Sequence, residues 1–598
     1  MTNGRMQRLG FRRWVLVSVM TAGLVLSPRL HRPMQAADGD LDPTFGTGGL
    51  VVTNFGNLPG QVTAAVAAQR DGKIVVAGTA FGTARSGFAV ARYNADGSLD
   101  ASFAGGGTTV AEFPGTNANA GAFALAIQAD GRIIVAGSVT TGSTPFDLAA
   151  DFAVARILPG GALDPSFDGD GRVQTDLGGG SVFTFEGAQA VTLQTDGRII
   201  VAGTRTLADR TSQFALVRYG LDGSLDASFD DDGKVTTAFG PAARARGVGV
   251  QSDGRIIAGG STSVGGQNVF ALARYNADGS LDATFGIDGQ VTTAAANGAF
   301  GTALVVQPDD KTVLVGDVIT GGTDFGIARY DLDGALDTSF NGGAVLTTDI
   351  GAPLDTPSAV ALQADGAIVV AGTSFPSGTS NGDFILTRYT TDGLLDTSFG
   401  VGGVASADFN GNDRAAGVAV QIDGRIVVAG QRQAPGAVVS QFALARFQGP
   451  ARHALTFFLH GTDLPPTAEG FTMAPTPAPG TQVSVGTRTW FSDPTVSGSF
   501  QSGATFRVTL PCVWGLGVPK TVLLAVTSSA GGQEQVLGQG VQGLRLCRDQ
   551  TIDIAVATPV TLTNRRLKLT ISSTSHLPML IPLGRRTFLR GSAFVGVP

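Results

Sequence analysis

The chain is 598 residues long with a formal net charge of −7, 43% hydrophobic and only 15% charged, and it carries 86 Gly against 27 Pro. That length excludes a single small disulfide module, the hydrophobic content excludes an intrinsically disordered chain, and the acidic balance lacks the footprint that neutralises phosphates, so no nucleic-acid partner is expected. Four His, two Cys and three Trp in the whole chain leave little catalytic chemistry to build with.

The N-terminal residues place Arg5, Arg8, Arg12 and Arg13 before an apolar run at 14–26, followed by Ser27-Pro28 and the small pair Ala36-Ala37. This is the grammar of a secretory signal over residues 1–37. The run is shorter than the roughly 20 residues a helix needs to cross a bilayer. The expected product is a secreted or cell-surface protein without a transmembrane segment, a retained N-terminal anchor being the alternative.

From residue 38 to 449 three phrases recur seven times with a period of 55 to 66 residues. One is Gln-x-Asp-Gly, usually followed by Lys or Arg, beginning at Gln69, Gln128, Gln194, Gln251, Gln363 and Gln421, with a variant at Gln307. Another is Phe-x-x-x-Arg-Tyr, with Ile157 and Phe447 replacing Tyr in two copies. The last is Leu-Asp-x-Ser/Thr-Phe, from Leu41 to Leu395. Before each Gln, small residues such as Ala65 and Ala67 alternate with branched ones such as Val66, the period of a strand packed on both sides. The Asp-Gly signals a hairpin with a primed turn. Four short strands per unit predict a propeller blade.

The chain enters the repeats with the fourth strand of a unit and leaves them with the third. An N-terminal strand is therefore expected to complete the last blade and hide two sheet edges. Each repeated Arg precedes an Asp by eight residues: Arg92 and Asp100, Arg156 and Asp164, Arg218 and Asp226, Arg274 and Asp282, Arg329 and Asp337, Arg388 and Asp396. Arg446 and Asp42 are left over, and a structural clamp beneath each blade predicts that they meet across the seam. The sequence thus predicts an all-β chain, a seven-bladed β-propeller closed by an N-terminal strand and followed by a C-terminal β-sandwich.

These phrases resemble the delta-60 repeat family, found in exported bacterial proteins and classed as a β-propeller repeat. The resemblance covers about residues 38 to 449. It implies the fold and no catalytic residues.

Site chemistry in the repeats is sparse. Asn94-Ala95-Asp96-Gly97 looks like the middle of a calcium loop, but Arg92 and Phe103 stand where its first and twelfth ligands belong. A turn stabilised by its own backbone is the expected role. The acidic turns Asp168-Gly169-Asp170 and Asp230-Asp231-Asp232 are where a weakly held calcium ion would sit; no other cofactor is expected. Between 38 and 449 there is no His, Cys or Trp, which excludes a Ser-His-Asp nucleophile, a zinc site or a redox thiol there.

After Gly449-Pro450 the texture changes to Thr, Val and Ser alternation, read as a β-sandwich over 450–598. In an exported chain Cys512 and Cys547 are expected to form a disulfide. Trp490, Phe491 and Trp514 are candidates for stacking on sugar rings, with core packing as the competing role. The expected function is a non-enzymatic exported scaffold, monomeric, binding an extracellular glycan or protein. A structural matrix protein and an Asp-dependent carbohydrate hydrolase or lyase are the alternatives.

Overall fold

The computed structural model describes residues 37–449, apart from 56–57, 59, 83–84, 116–118, 141–149, 179–185, 296 and 380, and beyond residue 450 it describes the backbone of strands only. The expected signal at 1–37 lies outside the described residues except for Ala37, and in the described residues no helix is long and apolar enough to cross a membrane.

Each repeat builds four antiparallel strands. In the first complete unit these are Gly60–Ala68, Ile74–Phe81, Ser86–Tyr93 and Thr108–Ala111, paired in chain order. Among the described residues this four-strand set recurs seven times, two neighbouring sets being joined by a single parallel bridge between Thr323 and Leu354. The last set takes Asn412–Val420, Ile426–Gln433 and Gln441–Phe447 from the end of the repeats, and its fourth strand, Leu50–Thr53, from the beginning. Leu50 faces Ala445 and Thr53 faces Phe442 in that pairing.

The turn after each first strand differs from the primed hairpin expected. Gly72 N donates to Gln69 O at 3.0 Å and Gln69 N to Lys73 O at 2.8 Å, and of the two turn residues only Gly72 has a positive φ, at 85°. A primed turn needs positive φ at both. Asp71 instead keeps ordinary backbone geometry and uses its side chain, accepting Lys73 N at 3.1 Å. The result is a longer turn closed by a left-handed residue, Gly in six units and Asp310 in the seventh.

The core lies between successive sheets. Phe88 and Val90 of one sheet pack with Ile133 and Val135 of the next, and Phe45, Leu444 and Val427 of the last sheet pack with Ile74 and Val76 of the first. Second and third strands are buried on both faces, as in Ile74–Phe81, where only Phe81 is exposed. Wherever the repeated Tyr is present, its hydroxyl bonds the Thr that ends the fourth strand of the preceding sheet, as in Tyr93 with Thr53 at 2.9 Å and Tyr219 with Thr175 at 2.7 Å. Burial without that partner would leave a costly unsatisfied hydroxyl.

The Arg–Asp pairs tie the third strand of each sheet to the turn before its fourth, and the same Arg reaches the next sheet. Arg Nε donates to Asp Oδ2 at 2.7 Å for Arg92 and Asp100, and at 2.8 Å for Arg156 and Asp164, Arg274 and Asp282, and Arg388 and Asp396. Arg218 meets Asp226 at 2.7 Å and Arg329 meets Asp337 at 2.6 Å. Arg446 meets Asp42 at 2.8 Å, across 404 positions of sequence. Each guanidinium also lies over the Phe that follows its Asp, 4.7 Å from the Phe103 centroid for Arg92 and 4.4 Å from that of Phe45 for Arg446. Its Nη1 reaches into the next unit, Arg92 to Pro159 O, Arg156 to Leu221 O and Arg446 to Ala95 O. Arg388 departs from this, taking the Asp38 carboxylate at 3.1 Å.

A second cation, the residue after Asp-Gly, completes each carboxylate: Lys73 on Asp100 at 2.9 Å, Arg132 on Asp164 at 2.8 Å, Arg425 on Asp42 at 3.0 Å. In the sixth unit Ala367 stands at that position, and the Asp396 side chain is 23% exposed against 0% for Asp42. Burial opposes ionisation of these carboxyls. Hydrogen bonds from the Ser or Thr two residues on, together with the cations, outweigh it and hold Asp42, Asp164, Asp226, Asp282 and Asp396 below the usual Asp range.

Beyond residue 450 strands continue, with Lys520–Ala530 pairing antiparallel to both Gln533–Leu544 and Val560–Ser573.

Two outcomes are expected. Asp42→Ala strands two guanidinium groups at the seam and lowers unfolding free energy by about 3–5 kcal/mol, against about 1–2 kcal/mol for the more exposed, singly paired Asp396→Ala, measured by urea denaturation. The folded-state pKa values of these Asp residues lie below the unfolded one, so their contribution is complete above about pH 4 and is lost as pH falls further. Urea midpoints at pH 7, 4 and 3 check this, and a midpoint unchanged down to pH 3 contradicts it.

Candidate functional site

The clamp residues are brought together pairwise and sit in a framework role, each ion pair filled by its own chain. Asp96 Oδ1 accepts Ser98 N at 2.9 Å and the Ser98 hydroxyl at 2.6 Å, the local turn chemistry expected of that phrase. Asp170 pairs with Arg172 at 2.8 Å. Trp490 and Phe491 lie on the strand Thr489–Asp493, whose side chains are outside the described residues, as are Cys512, Trp514 and Cys547 altogether.

The first strands of all seven sheets line one cavity of about 610 Å³. Their small residues follow from how closely these strands approach: a Cβ on Gly247 would meet Leu304 N of the next sheet at 2.7 Å, and one on Gly417 would meet Val66 N at 3.0 Å. Each first strand carries a register shift, between Thr63 and Ala65, Ala122 and Ala124, Ala188 and Ala190, and at the matching place in the other four. A bulge re-aims one side chain without disturbing the ladder on either side.

The bulged residues are Ala64, Phe123, Gln189, Arg246, Thr302, Ser358 and Ala416, and all line the cavity. They stand five positions before the repeated Gln, in a slot where the units do not repeat. That lack of repetition is legible in the sequence once the seven copies are aligned on Gln, although the direction of the side chains is not.

Two charged groups face this cavity, Arg246 and Asp317. The Arg246 side chain is exposed, and desolvation by the cavity walls around it, with repulsion from Arg244, lowers its pKa, Asp317 opposing. Asp317 occupies a second-strand position that is Thr or Ser in five other units, where Thr373 Oγ1 accepts Ala415 N at 3.0 Å. Asp317 Oδ1 has no hydrogen-bond partner, and burial pushes the carboxyl up to about 6, against the pull of Arg246. Among the described residues it is the only carboxylate lining the cavity, and glycoside hydrolysis requires two acids.

A carboxyl whose folded pKa is raised contributes stability at low pH and loses it as pH rises through the folded value. Asp317→Thr, which restores the repeated residue, is therefore expected to raise unfolding free energy at pH 8 by about 1–2 kcal/mol and to have little effect at pH 4. Urea denaturation at the two pH values reads the difference, and equal shifts at both would contradict the assignment.

No curated protein matches this chain. Among solved structures, a protein of unknown function from Dyadobacter fermentans is similar over 67% of this chain and 99% of its own, at 14% identity and a TM-score of 0.35. A Trypanosoma rangeli sialidase in complex with the inhibitor DANA is similar over 93% of this chain and 96% of its own, at 10% identity and a TM-score of 0.34. Sqt1 of Chaetomium thermophilum is similar over 70% and 93%, at 12% identity and a TM-score of 0.34. The family model described as "Domain of unknown function (DUF5122) beta-propeller" matches residues 69–103, 128–167, 194–229, 251–285, 307–340 and 363–399. Six units of this chain are thus β-propeller repeats of the kind that model describes.

Proposed function

We propose that residues 38–449 form a seven-bladed β-propeller closed by the strand Leu50–Thr53, that residues 450–598 add a β-sandwich with a Cys512–Cys547 disulfide, and that the whole is an exported, monomeric, non-enzymatic binding scaffold. The observation that carries this reading is the bulge layer. Everything the fold needs is repeated in the units, while the seven side chains turned into the shared cavity are all but unrepeated. Repetition serves folding, and a ligand without sevenfold symmetry needs variation. Arg246 supplies the positive charge, Gln189 supplies amide donors and an acceptor, Thr302 and Ser358, whose protons go to Val315 O and Ala415 O, supply acceptors, and Phe123 supplies an apolar face. That set fits a carboxylate-bearing glycan.

The test is a panel of acidic and neutral glycans offered to the full chain. Acidic glycans are expected to bind saturably, and Arg246→Ala to weaken them by about tenfold or more with the thermal midpoint unchanged. Wild-type affinity in Arg246→Ala, or a preference for neutral glycans, contradicts the reading. A second reading, a glycan hydrolase or lyase, is favoured by one observation: the Asp317 carboxyl, raised to about 6, suits a general acid. Glycan cleavage by the wild type, lost in Asp317→Asn, would replace the binding reading with this one.

A further inference from the structure

At the end of each third strand away from the clamp, three positions meet: the residue before the strand's Phe, the residue after the fourth strand, and the residue three before the next bulge. In three sheets all of them are acids. The trios are Asp151, Asp176 and Glu186; Asp324, Asp349 and Asp355; and Asp383, Asp408 and Asp413, and within each trio one oxygen from every side chain lies within 4.8 Å of the others.

The acids are not needed to build the corner. In the sheet completed by Leu50–Thr53 the same positions hold the amides Gln441, Asn54 and Gln61, with Gln441 Nε2 donating to Asn54 Oδ1 at 2.7 Å. In the remaining three sheets they are uncharged except for Glu112. Apart from the lone Glu112 the acids occur as complete trios, which points to a demand made by something they share.

The geometry leaves that demand unmet from within the chain. Asp413 Oδ2 accepts Phe409 N at 2.7 Å and Asp355 Oδ2 accepts Ile350 N at 3.2 Å. Both residues are 0% exposed; Oδ1 of Asp413 has no hydrogen-bond partner, and the Asp355 carboxylate has, besides backbone N–H, only the Ser374 hydroxyl. A buried carboxylate oxygen without a donor, beside two further carboxylates, is unfavourable unless a cation sits among them.

We propose that Asp324, Asp349 and Asp355, and likewise Asp383, Asp408 and Asp413, each hold a calcium ion. Oxygens up to 4.8 Å apart can share one ion at the 2.3–2.6 Å typical of Ca–O bonds. The donors are all hard oxygens, without the nitrogen or sulfur that zinc prefers. Exposed Asp349 and Asp408 keep one side of each site open, so water completes the coordination shell.

The cross-strand neighbour ranks the sites. Opposite Asp355 stands Ser374, a hydroxyl, whereas Arg432 stands opposite Asp413 and supplies one positive charge against three carboxylates. In the remaining trio Arg205 lies 4.0 Å from Glu186 and its guanidinium partly takes the ion's place. These sites are separate from the acidic turns at Asp168 and Asp230, and the proposal does not depend on the ligand of the cavity.

Calorimetric titration of the EDTA-treated full chain with calcium chloride tests it, alongside thermal unfolding. Saturable binding of about two ions and a rise in Tm of about 2 °C or more are expected. Asp349→Asn and Asp408→Asn change exposed acids to the residue type that Asn54 shows the corner accepts. Each is expected to remove one site, and the double variant to weaken binding at least about tenfold while leaving the calcium-free Tm unchanged. No saturable binding up to about 10 mM calcium, or a wild-type titration from the double variant, overturns the proposal. A stronger response to magnesium than to calcium overturns the choice of ion.

Discussion

A buried carboxylate that two cations and a hydroxyl share is the joint on which this molecule hangs. Asp42, Asp100 and their equivalents accept a Ser or Thr on one oxygen and one or two cations on the other, while the same arginine lies over a Phe ring and reaches into the next unit. Pairs removed from water gain their attraction only when the remaining lone pairs are also used, and here the Ser or Thr hydroxyl and backbone N–H take the second oxygen. The joint accounts for the invariance of three phrases at once. The Leu-Asp phrase supplies the acceptor, the Phe-x-x-x-Arg phrase the donor, and the residue after Asp-Gly the second donor.

With the framework tied at that end, the rest of each unit is free to differ. The bulge places one side chain per sheet in the cavity, and the opposite corner places three more at the junction between sheets. Both slots lie away from the joint, and both vary. The carboxyls show the same division: those in the joint are pulled below their usual pKa range by donors, whereas Asp317 and Asp413, short of donors, are pushed up to about 6.

Much of the framework was legible in the chain. The small and branched alternation marked the first strand, and the leftover Arg446 and Asp42 marked the seam, because spacing along the chain carries over directly to strands joined by short turns. The hairpin type was not legible, since Asp-Gly serves both a primed turn and the longer turn observed, and the choice rests on a single φ at Asp71. The second cation was hidden in plain view: Lys or Arg after Asp-Gly reads as a solvated charge until the Asp of the following Leu-Asp phrase, as in Lys73 and Asp100 or Arg132 and Asp164, is placed beside it. The acid trios were illegible, because each gathers residues from a third strand, the end of a fourth and the start of the next unit's first.

The strand Leu50–Thr53 is made early and finds its partner, Gln441–Phe447, only when nearly the whole repeat region exists. Until then it stands as an unpaired edge. Closing a loop of that size is slow. The order of synthesis therefore leaves the sheet that joins the two ends of the repeat region incomplete through most of the chain's production, while the first complete unit, 60–111, has all four of its strands early.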